Sequence, residues 1–124
     1  MKNFIIFYRD GDHYYTRRIE GAALSPLASL IGTDVRNHGV RYSLQCTEAD
    51  GVETNADATF IETHDGIMTV GDLLDKHDKS VPKFSLPREQ FRNLLLAWEA
   101  AVRNKPKEII ITKDGDNVTL ETRD

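Results

Sequence analysis

The chain has 124 residues and a mass of 14.1 kDa. It is 40% apolar and 29% charged, with a formal net charge of −4, the balance of one folded domain. At this size a chain buries roughly two-thirds of its unfolded surface and holds a core without staples; its single cysteine, Cys46, cannot form an internal disulfide, and no apolar stretch approaches the roughly 20 residues of a membrane span. A multi-domain enzyme, a disulfide miniprotein and an integral membrane protein are thereby disfavoured.

The chain opens with one lysine and a short apolar run, Phe4-Ile5-Ile6-Phe7-Tyr8, closed by Arg9 and Asp10. That run is shorter than a signal-peptide core, so the expected compartment is the cytoplasm. Residues 3–8 and 13–19 read as two strands around Arg9-Asp10-Gly11-Asp12, since Asp-Gly supplies the positive φ of a tight hairpin. The first strand is apolar on both faces, which places it inside a sheet or under cover on both sides. Residues 24–32 predict a short helix, with Ser25 as cap, Pro26 in the first turn and Gly32 as terminator.

Residues 39–46 alternate Val40, Tyr42, Leu44 and Cys46 against Arg41, Ser43 and Gln45, the pattern of a half-buried strand. Residues 47–55 are polar and turn-rich and read as a loop; residues 58–63 read as a strand. Thr69-Val70-Gly71-Asp72 has the spacing of a capping box, with Leu73, Leu74 and His77 following on a short helix.

The last 40 residues carry the clearest pattern. Phe84-Ser85-Leu86-Pro87 leads into a long amphipathic helix, with Ser85 as its cap. Phe91, Leu94, Leu95, Trp98, Ala101 and Val102 form one apolar stripe, and the helix ends at Lys105-Pro106. A hairpin follows over residues 108–113 and 116–122, with Asp114-Gly115 as a two-residue turn. That turn pairs Ile111 with Val118 and Ile109 with Leu120 on one face. The whole predicts a single α+β domain over residues 1–124. It would hold one antiparallel sheet of about five or six strands, one long C-terminal amphipathic helix and two short helices.

Catalytic and cofactor signals are weak. His13, His38, His64 and His77 stand apart, with no second histidine or cysteine at metal-ligand spacing. Cys46 shares a face with apolar residues and reads as core. No glycine-rich phosphate loop or nucleophile elbow occurs. No enzyme, metal or cofactor is therefore expected. Arg17-Arg18 and Lys105/Lys107 are too sparse for direct nucleic-acid binding.

The acids are unevenly placed. From Thr47 to Asp78 there are nine acids and one base, Lys76, a sum of −8, which leaves +4 for the rest of the chain. Glu48, Asp50, Glu53, Asp57, Glu62, Asp65, Asp72 and Asp75 are interleaved with Val52, Phe60, Ile61, Ile67, Met68 and Val70. A folded acidic surface beside exposed apolar side chains suits docking onto a basic protein, because its field speeds encounter and disfavours wrong partners. These eight acids are the candidate partner-binding residues.

Phe84-Ser85-Leu86-Pro87-Arg88-Glu89-Gln90-Phe91, Leu94-Leu95, Trp98-Glu99, Lys105-Pro106-Lys107-Glu108-Ile109-Ile110-Ile111 and Asp114-Gly115-Asp116-Asn117-Val118 together resemble the tail of small bacterial immunity proteins. These are the immunity proteins of contact-dependent growth inhibition and related polymorphic toxin systems. The resemblance covers about a third of the chain. It implies a cytoplasmic, non-enzymatic antidote that binds the C-terminal domain of one cognate toxin, often a nuclease, and occludes its active site. It carries over no binding residue. Two other readings stand beside it: an adaptor or assembly subunit using the Trp98 helix or a free sheet edge, and a small enzyme using His64-Asp65 or His13.

Overall fold

Two four-stranded antiparallel sheets enclose the helices, and a computed structural model describes this arrangement for residues 3–51 and 53–124, the side chain of Thr54 excepted. The α+β class is as predicted, but the single sheet of five or six strands is two. The first sheet has the order β2-β1-β7-β8, built from β1 (Asn3–Asp10), β2 (His13–Glu20), β7 (Glu108–Asp114) and β8 (Asn117–Arg123). The second has the order β3-β4-β5-β6, from β3 (Glu53–Asn55), β4 (Thr59–His64), β5 (Ile67–Asp72) and β6 (Phe84–Pro87). Val52, named among the apolar neighbours of the acids, lies outside the described residues.

Tight turns set the hairpin registers. Gly11, at φ 66°, opens the β1–β2 turn, and Asp10 pairs His13, the geometry in which glycine takes the first turn position. The C-terminal hairpin closes one residue later than expected. Asp114 pairs Asn117 around Gly115 (φ 64°), so Ile111 faces Leu120 and Ile109 faces Thr122. The partners shift by two, and a shift of two keeps every side chain on its own face. Val118 and Leu120 therefore still pack on the core.

Several predicted elements change type. Gly39–Cys46 is no strand: Gly39 at φ 79° ends one helix, and α3 (Arg41–Gln45) follows it. Val40, Ser43, Cys46 and Thr47 are its buried side chains, a three-to-four spacing that the alternation of Val40, Tyr42, Leu44 and Cys46 disguised. The first helix runs past Gly32. It comprises α1 (Ser25–Ser29), a π-helical segment (Leu30–Val35) and α2 (Arg36–His38), with no cap bond from Ser25. Gly32 faces β2, where a Cβ would stand in ordinary contact, 3.4 Å from Thr16 Oγ1.

The expected capping box lies inside β5, leaving only a short 3-10 turn, Leu73–Asp75. The long helix, α4 (Arg88–Arg103), begins after β6, so Ser85 is a strand residue that hydrogen-bonds Thr69 (2.9 Å) and caps nothing. Proline at position 87 takes the N-cap, and the Arg88 amide donates to the Gly66 carbonyl at 2.9 Å.

The helices touch both sheets: α1 meets β2 on one side and β5 and β6 on the other, and α4 meets β8, β5 and β6. One core results. Ile5, Phe7, Ile109 and Ile111 come from the first sheet, and Ile61, Met68, Val70, Phe84 and Leu86 from the second. Trp98, 5% exposed, is packed edge-on by Phe7 and Tyr14, and the Tyr14 hydroxyl donates to the Pro106 carbonyl at 2.5 Å.

Candidate partner-binding surface

All eight candidate acids belong to the second sheet and the loops that flank it, and they fall into three groups along β4. At the β4–β5 turn, Asp50 accepts the Gly66 amide at 2.8 Å and lies 3.3 Å from Arg88, Asp65 forms the turn itself, and Glu48 is exposed nearby on the 46–51 loop. Thr63 holds that loop to β4, its hydroxyl donating to the Cys46 carbonyl while its own carbonyl accepts the Gly51 amide. In the middle, Glu53 on β3 stands directly opposite Glu62 on β4, both exposed. At the other end are Asp57, before β4, and Asp75 in the 3-10 turn; Asp72, half-buried opposite Thr59 at the end of β5, lies on the inward side of the sheet, away from Glu53 and Glu62. Six strand residues separate the ends, so the groups span roughly 20 Å.

Two glutamates directly opposed across a strand pair destabilise the sheet. Lys76 reduces that repulsion by pairing with Glu53. Asp57 takes hydrogen bonds at 3.0 Å from His38 Nε2 and 3.3 Å from Asn37, and these hold its carboxyl below the ordinary range. His64 and Asp65 lie 3.4 Å apart, each 86% exposed, a pair open to water from every side. Glu48, Glu62, Asp72 and Asp75 form no ion pair among the described residues. Protein-family models, curated proteins and solved structures were compared with the chain, and none matches.

The apolar side chains expected to flank the acids are mostly inside. Phe60, Ile61, Met68 and Val70 are buried, and the exposed ones are Ile67, at 42%, and Leu74, wholly exposed beside Asp75. Phe60 lies on the outer face of the sheet yet is covered. Its ring fits over Gly71, where a Cβ would come within 2.5 Å, and Lys76 sits over it at 5.6 Å. The loop after β5 thus roofs one end of the acidic face and carries Asp75 on it.

Asp34 is the polar residue that sequence reasoning missed. It sits on the π-helical segment, 0% exposed, and its carboxylate accepts the amides of Ala58 and Thr59 at 3.0 Å each and the Thr59 hydroxyl at 2.5 Å. These bonds moor the start of β4 to the helix and so set where Asp57 and the acidic face begin. The only sequence signal was a charged residue between Ile31 and Val35 on an apolar face. Beside it, the buried Tyr42 and Ser43 hydroxyls have no hydrogen-bond partner among the described residues, and burial pushes the Tyr42 phenol up to about 12. Cys46 is fully buried, which raises its thiol above its ordinary value. No group of three or more His, Cys, Asp or Glu arranged for a metal occurs among the described residues. No described helix is long and apolar enough to cross a membrane.

Proposed function

We propose that this chain is a non-enzymatic immunity protein, which binds a cognate basic toxin domain, such as a nuclease, in the cytoplasm and occludes its active site. The observation that carries the reading is the opposed pair Glu53 and Glu62 on an open sheet face, flanked at both ends by further carboxylates. Such a face costs stability. It returns that cost only when a positively charged surface covers it, where complementary charge accelerates association and selects the partner. Carboxylates spread over about 20 Å can meet the lysines and arginines with which a nuclease holds its phosphate backbone. The helix-and-hairpin tail that resembles immunity proteins supports the same reading.

An adaptor or assembly subunit is the alternative. It would need a surface other than the Trp98 ring, which is buried. The deciding experiment is to read the neighbouring frames for a secreted protein with a toxic C-terminal domain and to co-express that domain with this chain. The proposal expects co-purification as a stable complex and survival of cells that otherwise die. Survival without a physical complex, or no protection at all, would overturn it.

A further inference from the structure

The outward face of the first sheet has a charge order of its own. Its inward residues, Ile5, Phe7, Ile109 and Ile111, are in the core, so alternation turns Phe4, Ile6, Tyr8 and Ile110 outward, where the first three are half-buried and Ile110, 6% exposed, is largely covered by its neighbours. A groove over that face is lined by Phe4, Ile6, Ile110, Thr112, Thr119, Glu121 and Arg123. Across its middle the register fixes one row, since Arg18 pairs Ile6, Ile6 pairs Ile110 and Ile110 pairs Glu121. The row therefore reads cation, apolar, apolar, anion from one sheet edge to the other. The row on one side reads Glu20, Phe4, Thr112, Thr119.

We infer that this face binds a second copy of the chain, forming a two-fold dimer whose axis runs parallel to the strands. A rotation about such an axis lays β2 of one copy over β8 of the other at the same level. Arg18 then meets Glu121 of the second copy at both edges, and Ile6 meets Ile110 between them. A two-fold axis across the strands would instead set Arg18 on Arg18, so the charge order selects one of the two arrangements. An isologous interface needs this kind of self-complementarity. In the free chain the same charges fold back locally. Arg18 lies over the Phe4 ring at 5.6 Å and bonds Glu20, and Glu121 lies 3.8 Å from Arg123. The dimer exchanges these local pairs for pairs between copies.

The face is about 20 Å on each side, roughly 800 Å² over the two copies and so in the class of weak, reversible contacts, for which a Kd of micromolar or weaker is expected. The acidic face is on the other sheet and stays open in both copies, so the dimer neither requires nor blocks the proposed toxin contact. The test is sedimentation velocity on the full chain, with no partner present, up to about 0.1 mM, where a micromolar Kd leaves most of the protein associated. The wild type should run as a dimer. Arg18→Glu and Glu121→Arg should each weaken association tenfold or more by opposing like charges, and the double variant should restore it. Unchanged circular dichroism in each variant, and thermal midpoints that match wild type at concentrations low enough to dissociate the dimer, show that the fold is intact. A wild type that stays monomeric overturns the inference, as do single variants that associate normally or a double variant that fails to recover.

Discussion

Removing the Asp34 carboxylate should cost about 4 kcal/mol, a large share of the roughly 5–15 kcal/mol by which a domain is stable. The carboxylate is wholly enclosed and accepts three hydrogen bonds, two from backbone amides and one from the Thr59 hydroxyl. Asp34→Ala leaves those three donors unpaired in a place water does not reach, at roughly 1–3 kcal/mol for each donor before any relaxation. Partial rescue by a water in the vacated space brings the sum down to about 4 kcal/mol. In urea, with a slope of about 1.5 kcal/mol/M, the unfolding midpoint should fall by roughly 2.5 M. Asp34→Asn keeps one acceptor oxygen and should lose about half as much. Thr59→Val should lose about 1 kcal/mol and be non-additive with Asp34→Asn, because the two share a bond. An Asp34→Ala chain within about 1 kcal/mol of wild type would refute the view that this residue moors β4.

Four further outcomes follow from the packing. Gly71→Ala should destabilise by about 1–3 kcal/mol in thermal unfolding, because the new Cβ meets the Phe60 ring at 2.5 Å. Phe60→Leu in the same chain should recover part of that loss. Tyr42→Phe should leave stability near neutral pH unchanged or slightly raised, since it removes a buried hydroxyl that has no partner. The same variant should flatten the alkaline limb of the stability curve. The folded phenol holds its proton to about 12, whereas the unfolded chain releases it near pH 10, so stability from this group is complete below about pH 10 and falls as pH rises toward 12. For a partly buried ring, solvent screening brings that contribution to about 1 kcal/mol, to be read from urea midpoints at pH 9 and 11. Cys46 should resist a thiol reagent until the chain unfolds, because burial both shields the thiol and disfavours its thiolate.

Much of the chain was legible from local pattern, and the failures have local causes. The β1–β2 hairpin, the α4 stripe and the burial of Trp98 follow from periodicity and turn chemistry, whereas Cys46 is buried as expected but beside a helix rather than on the alternating strand that suggested it. Strand β5 was hidden because Thr69 and Asp72 stand at capping-box spacing; Asp65-Gly66, both at positive φ between His64 and Ile67, was the better signal and marks a hairpin. Helix α3 has only five residues, too few to separate a period of two from one of 3.6. The shift in the last hairpin preserves every face, so hydrophobic pattern alone has nothing with which to choose between the two registers. Among the candidate residues, the gathering of the acids on one sheet came from their crowding into the middle of the chain. Their pairing with Lys76, Arg88 and His38 depends on contacts 23, 38 and 19 residues apart, which no local window contains.

The account turns on whether the acidic face steers a basic partner. The direct measurement is the association rate of the chain with its cognate toxin domain over a range of salt, repeated with Glu48→Lys, Glu62→Lys and Asp75→Lys combined. The account predicts a wild-type rate that falls steeply as salt is added, and a variant rate at least tenfold lower at low salt with little salt dependence left. A variant that associates as fast as wild type, with the same dependence on salt, would contradict it.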